Sequence, residues 1–111
     1  MTDPADREFR LAFWKLHILH HASREPVYGL WMLRELEAHG HRLSPGTLYP
    51  LLARMEARGW LRSTGGRHAR ARRAYRITPG GRRLLAALRD DIHELYREVV
   101  LGREPGAEGR R

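Results

Sequence analysis

Over residues 6–23 the apolar positions fall into two stripes at helical spacing. Phe9, Ala12, Phe13, Leu16 and Leu19 form one; Leu11, Trp14, Ile18 and Ala22 lie roughly opposite. A helix apolar on two faces needs cover on both. A domain this small covers one, so the face of Leu11, Trp14 and Ile18 is expected to meet a second subunit. Arg24-Glu25-Pro26 breaks this helix. A second is predicted over 27–39, buried through Leu30, Leu33 and Leu36 with Tyr28 and Met32 alongside, and Gly40 as its capping glycine. A third carries Leu48, Leu51, Leu52 and Met55 at i, i+3, i+4 and i+7, with Ser44 as N-cap, Pro45 in first position and Gly59 as stop. Pro50 conflicts with that start, because inside a helix it forfeits a hydrogen bond. Either the regular helix begins nearer Thr47 or its first turn is tightened or kinked, and both leave N–H groups open over residues 47–49.

Residues 60–64 and 74–78 alternate instead. Leu61 and Ser63, then Tyr75 and Ile77, face inward while Arg62 and Arg76 face out, as on two paired strands. Trp60 and Tyr75 are expected to cap the core beneath this hairpin. Residues 65–73 hold two glycines and four arginines but nothing large and apolar, the composition of a mobile basic hairpin tip. Thr78-Pro79 opens a fourth helix reaching 101–102, on which Leu85, Leu88, Ile92, Leu95 and Val99 are spaced as an a/d seam over two heptads. The seam and the doubly apolar first helix together predict a homodimer. The fold class is therefore mainly α with a small β-hairpin. It comprises a winged helix-turn-helix over 7–78 and a C-terminal dimerisation helix over 79–101 that packs with helix 7–23. Residues 103–111 are a flexible tail.

Charge sharpens this picture. The 111-residue chain has a net charge of +8, but its distribution is uneven. Residues 41–83 hold eleven arginines against one acid, Glu56, a net +10, while the remainder is slightly acidic. Such a field calls for a polyanion, and double-stranded DNA suits it. With no cysteine there is no disulfide framework and no thiolate chemistry. No apolar run approaches a membrane span and the acidic N-terminus is no signal peptide, so a cytoplasmic protein without membrane contact is expected.

In a winged helix the helix after the tight turn enters the major groove and the hairpin reaches an adjacent backbone or minor groove. The expected DNA contacts are thus Ser44, Pro45, Gly46, Thr47, Tyr49, Pro50 and Arg54 on the recognition helix, and Arg67, Arg70, Arg72 and Arg73 on the wing. The expected dimer contacts are Leu11, Trp14, Ile18, Leu85, Leu88, Ile92, Leu95 and Val99. Trp14 and Tyr96 offer an aromatic wall for a small aromatic effector at that interface. His17 and His21, one turn apart, could share a divalent metal ion, completed across the helices by a carboxylate such as Glu8, Glu94 or Glu98. Surface histidines without metal are the alternative, and no cofactor is required. An enzyme is not expected: there is no glutamate between paired histidines and no pocket built from loops. A winged helix serving as a protein-interaction module, or a metal-responsive regulator, are the alternatives to a DNA-binding repressor.

One string is more specific. Val27-Tyr28-Gly29-Leu30, Ser44-Pro45-Gly46-Thr47-Leu48-Tyr49-Pro50-Leu51-Leu52, Met55-Glu56-x-x-Gly59 and Arg73-Ala74-Tyr75-Arg76-Ile77-Thr78-Pro79-Gly80-Gly81 resemble the PadR-type transcriptional regulators, over roughly residues 9–101. The resemblance implies a winged helix, a homodimer made by the first and last helices, repression relieved by an effector, and Tyr49 with the start of its helix at the DNA. Trp31, where the family often has tyrosine, and a wing with four arginines and no acid depart from the pattern.

Overall fold

A computed structural model describes residues 4–64 and 73–103. The chain runs α1 (Pro4–Arg24), β1 (Val27–Tyr28), α2 (Gly29–Ala38), α3 (Pro45–Ala57), β2 (Leu61–Thr64), β3 (Ala74–Ile77) and α4 (Pro79–Leu95), which continues as one π-helical turn, Tyr96–Val100. Helix α1 packs on α2, α4 and β3, while α2 packs on α3 and α3 on β2. Among the described residues no helix is long and apolar enough to cross a membrane.

The two helices of the helix-turn-helix end by the same device. At the end of α2 the His41 amide donates to the Leu36 carbonyl and the Gly40 amide to that of Glu37, with Gly40 at φ +88°. At the end of α3, Trp60 donates to Met55 and Gly59 to Glu56, with Gly59 at φ +84°. Both are Schellman caps, and the positive φ is the reason glycine occupies each corner. At its start α3 is capped by Ser44, whose hydroxyl accepts from the Thr47 amide at 3.2 Å. The Ser44 carbonyl takes the amides of Thr47 and Leu48. Helix α3 is regular from Pro45 onward with Pro50 inside it. The missing Pro50 donor falls opposite Gly46, which is exposed and has no side chain, so the conflict stays local. The open N–H groups expected at Thr47 and Leu48 are instead closed within the turn.

Three expectations change. First, the sheet has three strands, ordered β1-β3-β2 and antiparallel throughout, because Val27 pairs with Tyr75 and Tyr28 with Ala74. This pairing keeps Val27 and Tyr28 extended, so α2 starts only at Gly29. Met32 and Leu36 are buried; Tyr28 and Leu30 are exposed.

Second, α1 turns its other side inward. Trp14, Ile18 and Ala22 are buried in the chain's own core with Leu19, Ile18 at 0% exposure, while Phe9 stands 69% exposed and Phe13 47%. Trp14 and Ile18 are therefore not dimer contacts, and Trp14 is not an open effector wall. Leu11, half-buried, packs against the same core. The reason lies in length. At about 1.5 Å per residue, α1 outruns the core. The neighbouring elements cover its C-terminal half along the Trp14–Ile18–Ala22 line and leave the Phe9–Phe13 end bare.

Third, Leu85 belongs to that core too, and Leu88 packs against it half-buried, so the first half of α4 is part of the domain. Only Ile92, Leu95 and Val99 of the seam are exposed, continued by Tyr96, Val100 and Leu101.

Candidate nucleic-acid interface

Helix α3 turns Leu48, Leu51, Leu52 and Met55 into the core, each almost fully buried. Its opposite face is open: Ser44, Pro45, Gly46, Pro50, Ala53, Arg54 and Arg58 are exposed, with Thr47 half-buried beside them. Tyr49 is placed less simply than its sequence suggests. It is half-buried, and its ring lies over Gly29, where an added Cβ would come 2.5 Å from the tyrosine Cε1 and 2.8 Å from its oxygen. Tyr49 thus docks the recognition helix on the start of α2, and its remaining edge lines a cleft of about 220 Å³ with Pro50, Ala53, Arg73 and Tyr75. Gly29→Ala is expected to destabilise the fold by about 1–3 kcal/mol, because the ring must yield. In a Tyr49→Ala background the same change should cost nothing or gain up to about 1 kcal/mol of helix propensity. Urea unfolding of the four proteins checks both.

Beside this face stands the wing sheet. Leu61, Tyr75 and Ile77 are buried, while Arg62 and Arg76 sit exposed and directly opposite each other across β2 and β3. Two guanidinium groups in one cross-strand pair repel, so the sheet gains no stability from them. Arg58, capping the end of α3, lies 4.9 Å over the Trp60 ring. Of the wing cations expected from sequence, Arg73 is half-buried at the base of β3, and Arg67, Arg70 and Arg72 lie outside the described residues.

The lone acid of the basic segment is explained by position. One oxygen of Glu56, Oε2, accepts from the Ser63 amide at 2.9 Å and from the Ser63 hydroxyl at 2.8 Å. It ties the end of the recognition helix to the wing strand β2. Sequence reading missed this tether, although a single carboxylate among eleven arginines was the signal for it. Glu56→Ala is expected to lower stability by about 1–3 kcal/mol by orphaning a part-buried amide, with Glu56→Gln milder, read by thermal unfolding.

Away from the basic face, α1 and α4 enclose an apolar groove of about 370 Å³, lined by Phe13, Leu16, His20, Leu85, Ile92 and Leu95 among others. Tyr96 is exposed one residue beyond Leu95. At the other flank of α1 the histidines gather. His17 lies tilted 5.2 Å from His39 and edge-on 5.0 Å from His41, and His21 lies 6.2 Å from His17 and 5.3 Å from Trp31, centroid to centroid. Burial first, then His41, His39, His21 and His20, hold His17 below the ordinary histidine range. Burial also lowers His21, against the opposing pull of Glu35. The donors this brings together are His21, Glu35 and His39, within 4.8 Å of one another. The companions of His21 therefore come from α2 of the same chain, with His17 beside the group; Glu8, Glu94 and Glu98 are not in it. His39 four residues after Glu35 was the signal for this in sequence.

Comparison with known proteins agrees with this geometry. A family model for the transcriptional regulator PadR-like family matches residues 18–87. The transcriptional regulator Rv3488 of Mycobacterium tuberculosis is 52% identical over 100 residues, covering 86% of this chain and 91% of its own. Among solved structures, a PadR family transcriptional regulator from Eggerthella lenta DSM 2243 is 34% identical over 83% of this chain and 79% of that one, at TM-score 0.67. A PadR-like transcriptional regulator from Bacillus cereus is 29% identical, covers 85% and 97%, and superposes at TM-score 0.69.

Proposed function

The chain belongs to the PadR-like family of transcriptional regulators, and from that premise we propose that it is a homodimeric, sequence-specific DNA-binding repressor acting in the cytoplasm. The observation that carries this reading is the open face of α3, Ser44 to Arg58, with Arg73 at the start of β3 sharing a cleft with Tyr49, Pro50 and Ala53. Arg54 and the wing arginines neutralise phosphates, while the start of α3 with Thr47, Pro50 and half-buried Tyr49 meets the groove. In the dimer, Ile92, Leu95, Val99 and the bare Phe9–Phe13 end of α1 supply the contact between subunits. A small aromatic effector would enter the α1–α4 groove near Tyr96 and act by favouring one spacing of the two recognition helices. No residue is assigned a catalytic role.

The test is a shift assay with DNA upstream of the protein's own gene against random duplex of equal length. Retardation of the former at 10-fold or more lower protein concentration is expected. Equal retardation of both would remove sequence specificity. No retardation of either would favour a protein-interaction module instead.

A further inference from the structure

We propose that His21, Glu35 and His39 form a binding site for one divalent transition-metal ion, zinc by the chemistry of the donors, which clamps α1 to α2. His21 Nε2 lies 3.5 Å from Glu35 Oε2, and His39 Nε2 lies 3.0 Å from the same oxygen. Around a tetrahedral ion with bonds of about 2.0–2.2 Å, donor atoms stand roughly 3.4 Å apart. The three donors, all within 4.8 Å of one another, need only small rotamer adjustments to surround one. Two imidazole nitrogens and one carboxylate oxygen suit zinc and its neighbours rather than calcium or magnesium, which prefer oxygen alone.

The placement is built by the fold. Glu35 on α2 and His39, the residue capping its C-terminus, are four residues apart and in contact, and α1 brings His21 to them. His17, 5.2 Å from His39, is at hand for the fourth position, and His39 is exposed enough for water to take it instead. His20 lines the α1–α4 groove with its ring edge-on to His21 at 4.9 Å, and His93 is exposed on α4. An ion here would join the helix bearing the exposed Phe9–Phe13 end to the first helix of the helix-turn-helix. It would thereby fix how the DNA-binding unit sits on the subunit contact.

The site is tested on the full untagged chain, by Zn²⁺ competition with a chromophoric chelator and by the visible spectrum of the Co²⁺-loaded protein. One ion per chain is expected, with the intense absorption of four- or five-coordinate Co²⁺. His21→Ala, His39→Ala and Glu35→Gln should each weaken binding by at least about tenfold, and His93→Ala should leave it unchanged. Glu35→Gln keeps the side chain's volume, so it serves even where a histidine variant unfolds. Wild-type affinity no better than that of Glu35→Gln, or a spectrum of octahedral Co²⁺ only, would overturn the proposal. Neither readout involves DNA, so the outcome is separate from that of the shift assay.

Discussion

Leu95→Glu combined with Val99→Glu is expected to yield a folded monomer. Both side chains are exposed in the single chain, at 57% and 69%, so the subunit's own core does not depend on them. In a dimer built on α4 they would be buried, at about 1.5–3 kcal/mol each. Four such side chains per dimer amount to about 6–12 kcal/mol, to which the burial of four carboxylates would add a further penalty. Since about 1.4 kcal/mol is tenfold, dissociation should be favoured by at least roughly 10⁴. Light scattering should report one subunit mass at micromolar concentration, with the helical circular dichroism retained. A double variant that remains dimeric would place the interface elsewhere. The contrast is Ile18→Glu, fully buried within the subunit, which should unfold the chain rather than divide a dimer.

Affinity for duplex DNA is expected to fall steeply with salt. If about six phosphates are neutralised per dimer, log K should fall against log salt with a slope near −5, a loss of roughly 10³ between 50 and 200 mM. Arg54→Ala removes an exposed cation from each subunit and should make the slope shallower by about 2 per dimer, weakening operator and random DNA alike. On the proposed function, Tyr49→Ala should weaken the operator more than random DNA, since Tyr49 lines the cleft shared by Pro50, Ala53 and Arg73. Fluorescence anisotropy at four salt concentrations measures all three. A slope near zero would contradict a phosphate-contacting role for the basic segment.

What sequence made legible was whatever is decided locally. The inward stripe of α3 and the caps at Ser44, Thr78, Gly40 and Gly59 stand as the spacing predicts, because each depends on residues within one or two turns. Where two answers were equally apolar, the pattern could not choose. Helix α1 has two hydrophobic stripes, and only the placement of α2, β3 and α4 determines that Trp14 and Ile18 go inside. Strand β1 is two residues long, too short for alternation to show, and its partner Tyr75 is nearly fifty residues away. The histidine group escaped for the same reason: His21 was visible, but its companions arrive on another helix.

Strand β3 is bonded on both edges, Tyr75 facing Val27 on one side and Ser63 on the other. A one-residue slip there would turn Tyr75 and Ile77 out of the core and break two ladders at once. The alignment of the strands is therefore fixed by pairs made within residues 27–28, 61–64 and 74–77. Insertions or deletions between β2 and β3 should therefore leave this register in place.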